Sequence, residues 1–208
     1  GREKLSASLG QIRYFEDSQV VAPGETPVAE GKSAWVADAN YMINDRWNLG
    51  ASYQWDPKFR REDLVSVRAR YLWPGDGVVN LGYRYRRNLL EQADLSFLYP
   101  INPTWSVVGR YYHSIDDDKL LEAIGGVQWD SCCLAVRVLA RRHVRNREGE
   151  MDNGIQAEFV LKGLGSAGQD TERTLRRAIL GYHRDDLYLV PPGDAAADPD
   201  DYDPNLIP

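Results

Sequence analysis

Two adjacent thiols, Cys132 and Cys133, are the most reactive pair in the chain. Their adjacency offers thiol–disulfide chemistry, but it lacks the ligand spacing of a zinc site, and two cysteines are too few for a small disulfide-framed domain. If both sat in a strand, their side chains would point to opposite faces, and a disulfide between immediate neighbours would be strained; each is then expected to pair elsewhere, or to remain an inert strand thiol. Catalytic groupings are poorly supported. His113, Ser114 and Asp116 are close in sequence, yet no serine-centred motif surrounds His113, His143 or His183. The run Gly163-Leu164-Gly165-Ser166 departs from the nucleotide-binding glycine patterns and lacks their strand-to-helix unit. No catalytic residue, metal or cofactor is therefore expected.

The third group with chemical potential is a set of arginines, Arg68, Arg70, Arg84, Arg86 and Arg110, spaced by two within alternating runs. Guanidinium groups recognise phosphate and carboxylate. The whole chain is nevertheless mildly acidic, with 25 basic against 31 acidic residues and a net charge of −6 over 208 residues, which argues against a sequence-independent nucleic-acid binder. No nucleic-acid partner is expected.

The elements that position these residues are strands. From Ala34 onward the chain falls into alternating runs of about ten residues closed by turn formers. Trp47, Leu49, Ala51, Tyr53 and Trp55 oppose Asn48, Gly50, Ser52 and Gln54; Val65, Val67, Ala69, Tyr71 and Trp73 oppose Ser66, Arg68, Arg70 and Leu72. The same device recurs through Val79–Tyr85, Ala93–Tyr99, Trp105–Tyr111, Leu121–Trp129, Cys132–Ala140 and Ile155–Leu161. With Lys4–Tyr14 and Trp35–Met42 the total is roughly ten strands. Residues 16–32 read as a loop insertion. Leu175, Ile179 and Tyr182 have helical spacing within Thr171–Tyr182, and an Ala-, Asp- and Pro-rich tail follows Pro191-Pro192.

No run approaches the 18 apolar residues of a membrane helix, a test that membrane strands escape. The amino end lacks a signal peptide's hydrophobic core, consistent either with a cytosolic protein or with a piece whose targeting segment lies elsewhere. Alternation alone leaves two solvents open for the apolar face: the core of a soluble sandwich or small barrel, or lipid. The placement of Trp55, Trp73, Tyr85, Tyr99, Trp105, Tyr111 and Trp129 at or near strand ends favours lipid, because amphipathic rings settle at the headgroup level.

In order, these runs resemble the carboxy-terminal part of the LptD family of outer-membrane lipopolysaccharide-assembly proteins. The resemblance covers nearly the whole chain and is most specific at Gln11-Ile12-Arg13-Tyr14-Phe15, Cys132-Cys133 and Phe159-Val160-Leu161-Lys162-Gly163-Leu164-Gly165. It implies an all-β fold: an antiparallel transmembrane β-barrel of about twenty-six strands, of which residues 1–165 are the closing segment and 166–208 a short helix and a periplasmic or luminal tail. It also implies a periplasmic jelly-roll domain and a plug lipoprotein, LptE. Lipopolysaccharide arrives over a periplasmic bridge, and its acyl chains reach the outer-membrane lipids through a lateral gate between first and last strands, without a covalent reaction. The gate strand would carry Ile155, Ala157, Phe159 and Leu161, bracketed by Gly154 and Gly163. By the same resemblance, Cys132 and Cys133 form disulfides to cysteines near the amino end and in the periplasmic domain, an oxidising compartment. On this reading the five arginines line the lumen and meet phosphate or acidic sugars. Equally, they hold water or pair with Asp38, Asp94, Glu122 and Glu158, or touch the plug protein.

Overall fold

The computed structural model describes residues 4–16, 30–58, 60–145 and 149–183. Eleven strands form one antiparallel sheet in chain order: β1 (Leu5–Tyr14), β2 (Gly31–Met42), β3 (Trp47–Asp56), β4 (Arg61–Trp73), β5 (Gly77–Arg86), β6 (Leu90–Pro100), β7 (Trp105–Ser114), β8 (Lys119–Asp130), β9 (Leu134–Val144), β10 (Met151–Leu161) and β11 (Gly165–Gly168). The sheet is of the β-barrel type but open, with β1 and β11 at its two ends. One helix among the described residues, α1 (Thr171–Ala178), follows.

Period-two alternation becomes hairpins because the turns are short and locally encoded. At the β4–β5 turn, Gly75 and Asp76 both adopt left-handed backbone angles, φ 73° and 68°. Such consecutive positive angles match the right-handed twist of the flanking strands and fix their register.

The burial pattern inverts that of a soluble sheet. Leu72, Val78, Leu98, Val108, Gly126 and Leu139 are successive register partners across β4 to β9, on the face that otherwise carries Asn, Gln, Arg and Glu. They make an apolar row across a polar surface. Against it lie Leu175, Ala178, Ile179 and Tyr182, joined by Ile124, and this is the buried core of the described residues. The opposite, aromatic-rich face is bare: Leu49, Val67 and Leu81 are 36%, 48% and 53% exposed. Ring contacts link Trp47 to Tyr71 (4.8 Å), Tyr71 to Trp73 (5.1 Å) and Trp73 to Tyr99 (5.5 Å) at one end of that face. Trp105 and Trp129 pair in register at the same end.

The helix forms where the spacing of Leu175, Ile179 and Tyr182 predicts one, although it ends at Ala178 and the chain turns through Ile179 and Tyr182. Asp170 caps it by accepting a bond from the Arg173 amide at 2.9 Å; Glu172 in the first turn and Arg176 and Arg177 in the last suit the helix dipole.

Three expectations change. Gly154 does not bracket the last long strand but lies inside it, because pairing with β9 extends β10 back to Met151. The run ending at Leu161 is also not the final strand, since β11 adds to its edge. Cys132 and Cys133 precede β9 in a bend rather than occupying a strand. Most of the 16–32 insertion and the tail beyond His183 lie outside the described residues, although Gly31 and Lys32 already belong to β2.

Candidate functional site

The polar face divides its arginines into two groups. Arg110 on β7 makes a two-pronged contact with Asp94 (Nε–Oδ1 3.1 Å, Nη2–Oδ2 2.9 Å) and donates through Nη1 to Glu122 at 2.9 Å. Both carboxylates lie diagonal to Arg110, whose direct register partners are Ser96 and Ile124; that offset suits a long side chain reaching between strands. Glu122 also accepts from Arg141 at 2.7 Å, and the Arg110 guanidinium lies 5.1 Å from the Tyr112 ring centre. Arg110 is therefore consumed by structure.

Arg68 and Arg84 are exposed and Arg70 half-buried, and among the described residues none of the three has an ion pair. They are neighbours: Arg68 is opposite Gly82, Ser66 opposite Arg84, and Arg70 opposite Asn80. Nε of Arg70 is buried without a hydrogen-bond partner. Arg86, exposed nearer the end of β5, lies two residues beyond Arg84 on the same face. The Arg68 guanidinium lies over Gly50 on β3, and Asp94 stands opposite Gly82, so the arginines form a basic strip along β4 and β5 that borders the Asp94–Arg110 pair and suits an anionic group.

Beside that patch, the segment from Thr171 to His183 is strapped across the sheet. Arg137 on β9 bonds Glu158 on β10 at 3.2 Å and Glu172 of α1 at 2.8 Å. Glu158 further accepts from the Thr171 hydroxyl at 2.5 Å and the Glu172 amide at 3.2 Å. At the other end Tyr182 donates to Gln128 at 2.7 Å, and Asn80 donates to the Leu180 carbonyl at 2.9 Å. Burial pushes the Tyr182 phenol up to about 12, so it serves as a neutral donor. His183 sits 2.9 Å from Glu172. Sequence reasoning missed this network. Its only signal was the scatter of apolar residues, Leu72 and Val108 among them, on a face that should be wet.

The cysteine turn lies between β8 and β9. Ser131 closes it through hydrogen bonds with the Leu134 backbone, and Lys162 braces it by donating to Asp130 (2.5 Å) and to the Ser131 carbonyl (2.6 Å). Both thiols are free and exposed, with their sulfurs 2.9 Å apart. The Cys133 thiol is raised above its ordinary range, chiefly by its hydrogen bond with Cys132, while the Lys162 charge opposes the shift.

At the far edge, β11 pairs only with Glu158–Leu161, leaving Met151–Ala157 of β10 without a strand on that side among the described residues. Ile155 here is 76% exposed; Phe159 and Leu161 are exposed and Ala157 is half-buried. His113 and Ser114 at the end of β7 are not brought together as a triad: His113 approaches Asp118, whereas buried Ser114 contacts Asp117. Among the described residues no group of three or more His, Cys, Asp or Glu is placed to hold a metal.

A meander of hairpins with a polar, strapped face and a bare aromatic face defines the class: an open antiparallel sheet of the β-barrel type. The family model described as LptD, LPS transport system D, matches residues 1–105. The LPS-assembly protein LptD of Xanthomonas campestris pv. campestris (strain 8004) is 69% identical over 222 residues, covering 100% of this chain and 27% of that protein. LPS-assembly protein LptD of Xylella fastidiosa (strain Temecula1) is 63% identical over 215 residues, again covering 100% and 27%. This chain belongs to the LptD family, and it spans about a quarter of the length of these relatives.

Proposed function

We propose that residues 1–165 are closing strands of a larger β-barrel in the Gram-negative outer membrane and that the whole protein assembles lipopolysaccharide there without catalysing a reaction. Residues 166–208 supply the strap and a tail on the periplasmic or luminal side. The relatives are named for lipopolysaccharide assembly. The single observation that carries the reading is the inverted burial: the core lies between α1 and the polar face, while Leu49, Val67 and Leu81 stay bare. A soluble periplasmic sandwich or small barrel would bury those three side chains, and no observation favours it.

Turn lengths support an orientation of the sheet. The connections 43–46, 74–76, 101–104, 131–133 and 162–164 at one end are all of three or four residues, whereas the other end carries the longer connections 15–30 and 145–150 beside the short 57–60, 87–89 and 115–118. Outer-membrane barrels keep short turns on the periplasmic side. Cys132 and Cys133 then face an oxidising compartment, where disulfides to the amino-terminal part of the protein tie barrel to periplasmic domain and bridge. The polar face lines the lumen, with LptE as plug, and Arg68, Arg70 and Arg84 meet phosphates or acidic sugars of the passing lipid; Arg86 flanks them, and Arg110 holds the wall. The lateral gate lies along Met151–Leu161, with Ile155, Ala157, Phe159 and Leu161 facing lipid. Its edge is cheap to open where β11 does not cover it, since fewer inter-strand bonds must break there.

The test is the paired reversal Arg68→Glu and Arg84→Glu in the full-length protein. Surface lipopolysaccharide should fall while barrel assembly, read by heat-modifiable electrophoretic mobility, is kept. Unchanged export from an assembled barrel would remove the luminal role. For the tether, Cys132→Ser and Cys133→Ser should each alter the non-reducing band pattern, and an unaltered pattern in both would sink it.

A further inference from the structure

We infer that the outer face of β6 to β10 carries a lipid site: an apolar groove beside the gate edge that receives an acyl chain of lipopolysaccharide, with Arg142 at its mouth for the lipid's phosphate. This rests on the proposed export function and adds a place for the product. The groove has a volume of about 950 Å³. Phe97 and Tyr111 form one wall and Ile155 the other; Ala123, Gly125 and Ala140 form the floor. It exists because bulk alternates sharply across the sheet. Register places Phe97, Gly109, Gly125, Ala140 and Ile155 in one row, so large side chains stand on β6 and β10 with almost none between them. A side-chain atom added at Gly125 would meet nothing within 4 Å.

Three observations choose the occupant. The groove lies on the bare face that contacts hydrocarbon, so its filling is a lipid chain and not water. Its Ile155 wall is the uncovered part of β10, making it continuous with the opening through which acyl chains leave. Arg142, on the same apolar face, lines the groove near the long-loop, external end of β9, is exposed, and has no ion pair among the described residues. A cation on a lipid-facing surface is tolerated near the interface and is stabilised further by an anionic headgroup. In the outer leaflet the phosphorylated sugar of lipopolysaccharide supplies that charge.

The experiment places a photo-crosslinking amino acid in the full-length protein in cells at Ala140 on the groove floor, at Leu81 on the outer face beyond it, and at Ser66 on the polar face. Lipopolysaccharide adducts are read by immunoblot and mass spectrometry. The adduct at Ala140 should exceed that at Leu81, which reports contact with the bulk leaflet. It should drop about fivefold with Arg142→Glu, in line with a lost interfacial charge pair plus repulsion. Gly125→Leu, whose Cβ enters open space and whose side chain would occupy the groove, should abolish the excess while leaving the Ser66 adduct intact. An Ala140 adduct equal to that at Leu81, insensitive to both substitutions, or made of phospholipid would overturn the groove while the Ser66 adduct still upheld transport. Absence of lipopolysaccharide adducts at all three positions in an assembled barrel would overturn the transport reading itself and the groove with it.

Discussion

Leu175→Ala tests whether the apolar row holds the strap. Leu175 is fully buried and belongs to the cluster of Val78, Val108, Leu139 and Ile179. Truncating an enclosed leucine removes its transfer free energy and leaves a cavity, together costing about 2–5 kcal/mol. Because Leu175 packs between the helix and the apolar row and takes no part in strand pairing, the cost falls on docking of the strap and not on the strand ladder. At about 3 kcal/mol, with about 1.4 kcal/mol per factor of ten, the undocked population should rise about a hundredfold. Trypsin reads that population. Arg173, Arg176 and Arg177 are exposed, but their backbone is helical, so cleavage requires local opening and its rate follows the open fraction when reclosing is fast. In the full-length protein in detergent, the variant should be cut at these sites about a hundred times faster, with Leu81→Ala on the bare face leaving the rate unchanged. Equal rates in Leu175→Ala and the parent, or equal acceleration by Leu81→Ala, would refute the reasoning.

Glu158→Gln should also loosen the strap, by about 1–3 kcal/mol, because a buried carboxylate serving Arg137, Thr171 and the Glu172 amide loses its charge; an unchanged trypsin rate would argue against it. Neighbouring glycines should respond oppositely. A Cβ at Gly126 would lie 2.3 Å from Leu139 Cδ2 and 2.6 Å from the Val138 carbonyl, so Gly126→Ala should lower the stability read from urea unfolding by an overpacking cost of about 1–3 kcal/mol, while Gly125→Ala stays within about 0.5 kcal/mol. In reduced protein, Cys132→Ala removes the hydrogen bond that raises the Cys133 thiol, so the pH–rate curve for Cys133 alkylation should move to lower pH and the rate at pH 7 should increase. Lys162→Ala should move it the other way. A common curve for all three proteins would show that neither neighbour acts on the thiol.

The strands were legible because each carries its own period of two and its own turn, so local chemistry fixes both. The arginines were legible as one face, but their sorting was not. Asp94 on β6 is diagonal both to Arg84 on β5 and to Arg110 on β7, and which of the two it reaches depends on register and side-chain direction, which the sequence does not carry. The bend at Ser131 was hidden for a related reason. Cys132 shares its parity with Leu134 and Val136, so alternation drew it into β9, whereas the Ser131 side chain bonds the Leu134 backbone and ends the period there. β11 gave no signal because Gly165-Ser166-Ala167-Gly168 has no apolar face, and backbone pairing with β10 alone makes it a strand.

The strap shows why alternation could describe two faces without saying which one packs. Leu72, Val78, Leu98, Val108 and Leu139 are spread over five strands, and each looks like a lone exception on a polar face. Register aligns them into a row, and only then is there enough contiguous apolar area to dock a helix. A soluble sheet of this composition would place its one amphipathic helix over the aromatic face, where far more apolar surface waits to be covered. Here Leu175, Ile179 and Tyr182 take the narrower row instead, and Glu158, Gln128 and Asn80 satisfy the polar groups at its margins. The choice accords with the proposed membrane barrel, in which a hydrocarbon layer satisfies the aromatic face and leaves the narrower row to the helix.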